Sequence, residues 1–383
     1  MRILLVGNYA LDNQASMLRY AEMLSQQMVE RGHQVEIVQP RAAFGKLTAQ
    51  PMLRKWLGYV DKYILFPATL RARTRGFDVV HVCDHSNAMY LAHTGGHPAS
   101  ITCHDLLAIG SAEGEFPQQK ISFTGKLQQR WILQHLSEAH DVVCVSANTA
   151  RELARYTGGS AQRVEVIANA LEPGCVPATE ESVQRLRKQL GIAAEERYLL
   201  HVGGNFWYKN RLGVLRIFKL LLERLRRSGE PVLRMVMVGG PPAPEMRAFV
   251  AANLPEGSVI ESPRLTDEDL WALYTGAAAL LFPSLHEGFG WPLIEAQCCG
   301  CPVITSNRAP MTEVAGAAAL YIDPEDEPGA AALIATNLGR LGELREAGFE
   351  NVKRFAPDVI AEEFEDFFRG VVHARRRSDE GRG

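Results

Sequence analysis

Two glutamates, Glu287 and Glu295, stand in the most chemically suggestive stretch of this sequence, Pro283-Ser-Leu-His-Glu287-Gly-Phe-Gly-Trp-Pro-Leu-Ile-Glu295. The stretch follows an apolar run that ends at Phe282. Gly288 and Gly290 free the backbone to approach a ligand closely. Pro292 suits the first position of a helix, and Gly300 suits the residue just past its end. That pattern places Glu287 on a loop and Glu295 in the first turn of the helix. Both carboxylates can then face one pocket beneath exposed N–H groups. Carboxylates so placed accept hydrogen bonds from sugar or ribose hydroxyls, while the N–H groups meet a negatively charged group. The plainer reading is a glycine turn with Glu295 complementing the helix dipole. For an isolated Gly-x-Gly that plainer reading would be preferred.

The elements that must carry such a site are short apolar runs alternating with longer amphipathic ones. Ile3–Val6, Val35–Val38, Asp78–Val82, Ala99–Cys103 and Val142–Val145 read as strands. A helix is expected from about Ser16 to Arg31, with Met17, Tyr20, Ala21, Leu24 and Met28 on one face. The pattern restarts at Tyr198–Val202, followed by a Gly-rich turn and a helix over Leu212–Arg226. Leu233–Val238, Ala279–Phe282 and Val303–Thr305 complete the second set of strands. Strand, helix, strand at this spacing means parallel sheets with helical crossovers, an α/β class. Two consecutive doubly wound units fit better than one giant sheet, with a linker from Asn169 to about Glu181. Ligands of such sheets sit at the carboxyl ends of strands, so the expected site is the cleft between the units. The last helix carries Ile360, Phe364, Phe367, Phe368, Val371 and Val372 as one apolar stripe, so it should dock. His373 to Gly383 reads as a frayed polar tail.

The chain has 383 residues and 46% are hydrophobic, enough for two cores. The formal charge of −3 gives no strong global attraction to nucleic acid. The 7 cysteines are odd in number and sparse, which argues for a reducing cytosol rather than a disulfide framework. The apolar run at Ile3–Gly7 is too short for a signal-peptide core, and no run approaches the ~18 residues that span a membrane. A cytoplasmic protein is therefore expected.

The whole string from Pro283 to Pro302 resembles the signature of family 4 glycosyltransferases, a glutamate pair with seven residues between. Other stretches agree in order. His201-Val-Gly-Gly-Asn-Phe-Trp-Tyr-Lys209-Asn-Arg211 looks like the strand–turn–helix that binds the donor diphosphate, with Lys209 as its phosphate lysine. Val236-Met-Val-Gly-Gly240 resembles the next strand end, and Leu265-Thr-Asp-Glu-Asp-Leu270 the loop that borders the nucleobase. Ala309-Pro-Met-Thr-Glu313-Val and Asp323-Pro324 match later segments. Thr102-Cys-His104-Asp105-Leu resembles the N-terminal domain's sugar-site histidine.

The resemblance implies the GT-B architecture, two Rossmann-like doubly wound domains with an interdomain cleft and a C-terminal crossing helix. Residues 1–170 would form the acceptor-side domain, with a helix over 356–376 packing back on it. Residues 171–197 would be linker and first helix of the second domain, 198–355 the nucleotide-sugar-binding domain, and 377–383 a flexible tail. There are two departures. The family often has an arginine five residues before the lysine, where this chain has Gly204, so Arg211 or Asn205 would have to compensate. The family's paired glycines at the first helix are here Ala15-Ser16.

Two tempting metal motifs have simpler readings. Cys298-Cys299-Gly300-Cys301 has no second Cys/His pair nearby in sequence and occupies small-residue positions at a helix end. Asp267-Glu268-Asp269 follows Thr266 and opens a helix, so it reads as an N-cap with acidic first-turn residues. No metal site is expected. The segment Lys46–Arg75 is the one local charge anomaly, with seven basic residues against Asp61, a net +6. Trp56, Leu57, Tyr59, Tyr63, Ile64, Leu65 and Phe66 are interleaved, which suits an anionic membrane surface or lipid-phosphate acceptor. The alternative is a solvated helix whose aromatics pack on the domain.

The expected function is a metal-independent, retaining glycosyltransferase. It would move a hexosyl group from a UDP- or GDP-sugar, as substrate rather than cofactor, to a carbohydrate or lipid-linked acceptor. Surface polysaccharide or glycolipid assembly is the expected setting, in the cytoplasm or peripherally at the inner face of the membrane. Lys209, Glu287 and His104 are the expected catalytic residues. Gly203, Gly204, Asn205, Lys209, Arg211, Leu265, Gly288, Phe289, Gly290 and Glu295 are expected to hold the donor, Glu295 at the ribose. A nucleotide-sugar epimerase of the same architecture and a catalytically dead carbohydrate-binding homologue are the rivals. An NAD oxidoreductase would want Gly-x-Gly-x-x-Gly after the first strand, which Gly7-Asn-Tyr-Ala-Leu-Asp does not supply.

Overall fold

In a computed structural model, the backbone is described for residues 1–12, 14–159, 162–229, 233–262 and 265–380, with side chains to 377. The chain divides into two compact units, Met1–Ala170 with Pro357–Gly383, and Leu171–Ala356.

The first unit is a six-stranded parallel sheet. Its strands are β1 (Arg2–Val6), β2 (Gln34–Val38), β3 (Val79–Val82), β4 (Ala99–Cys103), β5 (Asp141–Cys144) and β6 (Arg163–Val166), ordered β2-β1-β3-β4-β5-β6. The crossovers carry α1 (Ala15–Glu30), α2 (Pro51–Val60), α3 (Phe66–Arg73), α4 (Leu107–Glu113), α5 (Phe123–Ser137) and α6 (Ala147–Thr157). The central strands are buried on both faces, which is why they read as apolar runs. The chain between α2 and α3 does not break; Asp61–Leu65 is a wider helical turn.

The second unit repeats the plan with β7 (Arg197–Val202), β8 (Leu233–Val238), β9 (Val259–Ser262), β10 (Ala279–Phe282), β11 (Val303–Ser306) and β12 (Ala319–Ile322). Their order is β12-β11-β10-β7-β8-β9, all parallel. Around them lie α7 (Glu180–Gln189), α8 (Arg211–Ser228), α9 (Pro244–Asn253), α10 (Asp267–Gly276), α11 (Trp291–Cys298), α12 (Met311–Ala315), α13 (Glu327–Asn337) and α14 (Leu344–Val352). This is the doubly wound order in which the sheet reverses direction between its first and fourth strands, here β7 and β10. The core is built from α8 side chains such as Phe218 and Leu221 against Met235, Leu281 and Ile334.

The last helix, α15 (Pro357–Glu380), belongs to the first unit. All six residues of its expected apolar stripe are buried. Phe364 and Phe368 face His81 of β3, with ring centroids 6.0 and 5.2 Å away. Arg31, after α1, donates to Glu365 at 2.5 Å. The helix continues to Glu380, four residues into the stretch 377–383 expected to be a flexible tail. After Gly370 no glycine or proline interrupts the run before Gly381, and Arg377 in the last turn suits the carboxyl end of the helix. Residues 381–383 lie outside the described residues. Among the described residues, no helix is long and apolar enough to cross a membrane.

Candidate active site

Where a doubly wound sheet changes direction, the loops after two neighbouring strands diverge and leave a crevice. In the second unit these loops follow β7 and β10. Lys209 comes from the first, and Glu287 from the second. Lys209 Nζ meets Glu287 Oε1 at 2.7 Å, with both side chains largely shielded from solvent. The ammonium also lies over the Phe282 ring at 5.1 Å. Asn210 locks the two loops together. It takes the left-handed backbone conformation at φ 52°, alone among the described non-glycine residues. Its Nδ2 donates to Pro283 O at 3.1 Å and Pro324 O at 3.3 Å. The Leu285 N–H donates to Tyr208 O at 2.7 Å. Sequence reasoning passed over Asn210; the only local signal is asparagine's tolerance of positive φ.

The floor of the crevice is made of glycine. Gly239 has φ +143°, and a Cβ there would lie 2.2 Å from the carbonyl oxygen of Gly203. The loops after β7 and β8 therefore touch backbone to backbone. Beside them, Arg211 opens α8 and is only 4% exposed. Its Nη1 donates to Gly240 O at 2.9 Å and to Asn205 Oδ1. Among the described residues its Nε has no hydrogen-bond partner, and burial lowers the guanidinium pKa. Asn205 Nδ2 in turn donates to Pro241 O. The two residues expected to compensate for Gly204 are thus bonded to each other, Arg211 being held by Asn205. Lys209 is paired with Glu287, whereas Arg211 makes no ion pair among the described residues and feels Glu261 only at longer range.

Gly290, at φ +101°, caps α11, and Trp291 is the first helical residue. Pro292 thus occupies the second position, and Glu295 falls in the second turn rather than the expected first. The helix starts one residue early because Gly290 itself supplies the left-handed cap. Glu295 is buried and accepts a hydrogen bond from Tyr274 OH at 3.1 Å. Burial and the adjacent carboxylate push the Tyr274 pKa up, so the phenol keeps its proton and donates. Phe289 packs edge-on against Phe355 at 5.6 Å. Thr266 caps α10 by accepting from Asp269 N at 3.3 Å, and Asp269 pairs with Arg185 at 2.8 Å. Leu265 is half-buried just before that cap. Cys298 Sγ donates to Cys175 O at 2.8 Å, and Cys299 Sγ lies 3.9 Å from Cys175 Sγ. These thiols fasten α11 to the segment that enters the unit.

His104 lies in the first unit, just after β4. Its Nε2–H donates to Cys83 O at 2.9 Å, and its ring meets Tyr20 edge-on at 4.5 Å. Nearby is a polar cluster that sequence reasoning missed. Asn8, after β1, donates through Nδ2 to Asp84 Oδ2 at 2.5 Å and to Gln14 Oε1 at 2.6 Å. Asp84 follows β3, so this pair bridges the strand pair at which the first sheet reverses direction. Asp84 Oδ1 lies 3.2 Å from His85 Nδ1. Burial alone would raise the Asp84 pKa, but His85, His104 and two hydrogen bonds from Ser86 hold it below the usual range. α1 begins at Ala15, where the family's glycine would stand.

His81 in the first unit and His201 in the second are fully buried. His81 bonds Ser100 Oγ and Thr102 Oγ1, both at 2.9 Å, and burial lowers its pKa to about 3. His201 donates through Nδ1 to Leu281 O at 3.0 Å; burial, with Arg211 and Lys209, lowers its pKa to about 4. Both folded values lie below the ordinary 6.5. The unfolded chain therefore binds these protons first, and stability is complete above pH 6.5 and lost as pH falls below it. Each histidine should cost up to about 1.4 kcal/mol per pH unit in that window. Urea unfolding at pH 7.5, 5.5 and 4.5 (values set near these limits) checks this; flat stability for both His81→Asn and wild type would refute it.

Known proteins share this architecture and sequence. A family model described as "Glycosyltransferase Family 4" matches residues 17–174, and one described as "Glycosyl transferases group 1" matches 182–353. The O-antigen chain mannosyltransferase B of Escherichia coli is 27% identical over 66% of this chain and 64% of its own length. The D-inositol 3-phosphate glycosyltransferase of Acidothermus cellulolyticus is 26% identical over 73% of this chain and 64% of its own. The chain thus spans just under two thirds of these relatives. Among solved structures, sucrose-phosphate synthase from Thermosynechococcus elongatus superposes with TM-score 0.77 at 19% identity, over 98% of this chain and 100% of that one. Anabaena HepE in complex with UDP and glucose gives 0.73 at 17% identity, over 97% and 100%. With the Lys209–Glu287 pair at the reversal point of one of two parallel six-stranded sheets, the chain has the GT-B fold and belongs to the family 4 glycosyltransferases.

Proposed function

We propose that this chain is a retaining hexosyltransferase that uses a UDP- or GDP-sugar and needs no metal ion. The observation that carries this reading is the Lys209–Glu287 pair with the buried cation Arg211 beside it. Transfer breaks the bond between the anomeric carbon and the diphosphate oxygen through an oxocarbenium-like state. Negative charge grows on the leaving phosphate. Lys209 and Arg211 stabilise it from fixed positions, supplying the charge that a metal ion supplies elsewhere. Glu287 and the backbone of Gly288, Phe289 and Gly290 hold the sugar, and Glu295, oriented by Tyr274, holds the ribose. Gly203, Gly204 and Asn205 line the diphosphate, and Leu265 borders the base. The acceptor oxygen attacks on the same face, and the departing phosphate takes its proton.

His104 is proposed for the sugar on the family resemblance alone. The acceptor is proposed to be a carbohydrate or a lipid-linked carbohydrate in surface polysaccharide or glycolipid assembly, at the cytoplasmic side of a membrane. The mannosyltransferase named for O-antigen chains supports that setting, and the neighbour bound to UDP and glucose supports the donor class.

A panel of nucleotide sugars, read by thermal shift and by donor hydrolysis with and without EDTA, tests the proposal. One UDP- or GDP-hexose should stabilise the protein and be turned over in EDTA. Loss of turnover in EDTA with rescue by magnesium or manganese would end the metal-free reading. Epimerised donor, with no nucleotide release stimulated by acceptor, would favour the epimerase. Binding without turnover for every donor would leave a binding homologue.

A further inference from the structure

The segment 46–75 is not one amphipathic surface. Lys62 is buried, paired with Asp12 at 2.8 Å, and lies 5.1 Å from the Tyr59 ring centroid. Arg73 pairs with Glu36. The sequence could not show this, because Asp12 lies 50 residues from Lys62. Of its exposed apolar residues, Met52, Leu53 and Trp56 lie on α2, Trp56 exposed by 55%, with Leu47 before the helix and Ile64 and Leu65 on the wider turn after it. A second helix joins them. α5 exposes Phe123 by 75%, together with Leu127 and Trp131.

The two helices meet along an aromatic seam. Trp56 touches Tyr59, Tyr59 touches Tyr63 and Tyr63 touches Trp131, with ring centroids 5.5, 5.4 and 5.2 Å apart. Gln128 of α5 ties the seam, accepting from Tyr59 OH at 3.3 Å and donating to Tyr63 OH at 3.0 Å. The charge along this face is mainly basic, with Arg130 of α5 paired to Glu113 at 3.8 Å. Residues 46–60 hold Lys46, Arg54 and Lys55, residues 116–137 hold Lys120, Lys126 and Arg130, and neither stretch contains an aspartate or glutamate.

We propose that α2 and α5 together form one docking face for an anionic lipid bilayer. Trp56 and Phe123 seat at headgroup depth, and the basic side chains other than Arg130 meet the lipid phosphates. A membrane-facing partner of this kind fits both observations at once, since exposed aromatics favour the interface and an excess of cations favours anionic lipid. This rests on the membrane-side placement proposed above and replaces the segment 46–75 with a surface built from two distant stretches.

Co-sedimentation with vesicles tests it, comparing pure phosphatidylcholine with phosphatidylcholine containing phosphatidylglycerol, at low and high salt. Wild type should bind only the anionic vesicles and be released by salt. Trp56→Ser with Lys55→Glu on α2, and separately Phe123→Ser with Lys126→Glu on α5, should each lower binding about tenfold or more. Arg71→Glu with Arg75→Glu, within 46–75 but off this face, should change little. All these residues are exposed, and thermal melting verifies that each variant folds. If wild type binds no vesicle, the membrane-side placement fails. If it binds but the Phe123 and Lys126 changes are silent, that placement stands and the two-helix face is wrong. A concentration-dependent dimer abolished by Trp56→Ser with Lys55→Glu, without lipid binding, would make the face a contact between copies and overturn the proposal.

Discussion

Lys209→Ala should lower turnover about 10²–10³-fold, the usual cost of removing one fixed donor from a developing negative charge. The structure adds a second effect. In the resting site the ammonium is held 2.7 Å from Glu287, so its removal leaves a shielded carboxylate without a partner. An incoming diphosphate then meets an unopposed negative charge, and the donor KM should rise as well. Lys209→Ala combined with Glu287→Gln separates the two. Neutralising Glu287 removes the repulsion and should recover much of the donor affinity. It cannot restore stabilisation of the leaving phosphate, so kcat should stay low. Steady-state kinetics on the two variants, with nucleoside diphosphate affinity measured in parallel, decide the matter. A kcat for Lys209→Ala within about threefold of wild type would remove the lysine from the chemistry.

The pattern of what could be read from the sequence follows from distance along the chain. Lys209 and Glu287 each announced themselves through local strings, Gly-Gly before the lysine and Gly-x-Gly after the glutamate. The central strands were legible because burial on both faces makes them continuous apolar runs. The edge strands β6, β9 and β12 were not, because they keep half-exposed or polar positions such as Glu165, Glu261 and Tyr321. Pairings between remote residues were also hidden. Asn8 and Asp84 lie 76 residues apart and meet only because β1 and β3 are neighbours. Arg211 was visible as a candidate, but its burial and its bond to the backbone of Gly240 depend on a loop supplied by another strand. The same holds for the face shared by α2 and α5. Local composition found its basic half in 46–75, whereas Phe123 and Lys126 enter only through the packing of α5 on the Tyr59–Tyr63 seam.

Phe368→Ala should destabilise the first unit by about 3–5 kcal/mol, the range for emptying a buried phenylalanine site. Phe368 is fully buried between Phe364 and Phe367 of its own helix, at 5.7 and 5.8 Å, and His81 of the sheet. Against a typical stability of about 5–15 kcal/mol, such a loss leaves the unit marginal. The second unit keeps its own core, so the nucleotide binding proposed for residues 171–356 should persist after the first unit has melted. The histidine gives the prediction a second signature. His81 is held near pKa 3 chiefly by burial, and the phenylalanine ring is part of what buries it. A cavity at 368 admits water, and the folded-state pKa should climb back toward 6.5. The gap between folded and unfolded values then shrinks, and with it the loss of stability below pH 6.5. The variant should thus start less stable at neutral pH yet lose less than wild type on acidification. Phe368→Leu, which fills more of the space, should fall between the two. Equal pH slopes for wild type and Phe368→Ala, measured by urea unfolding of the first unit, would show that α15 does not shield His81.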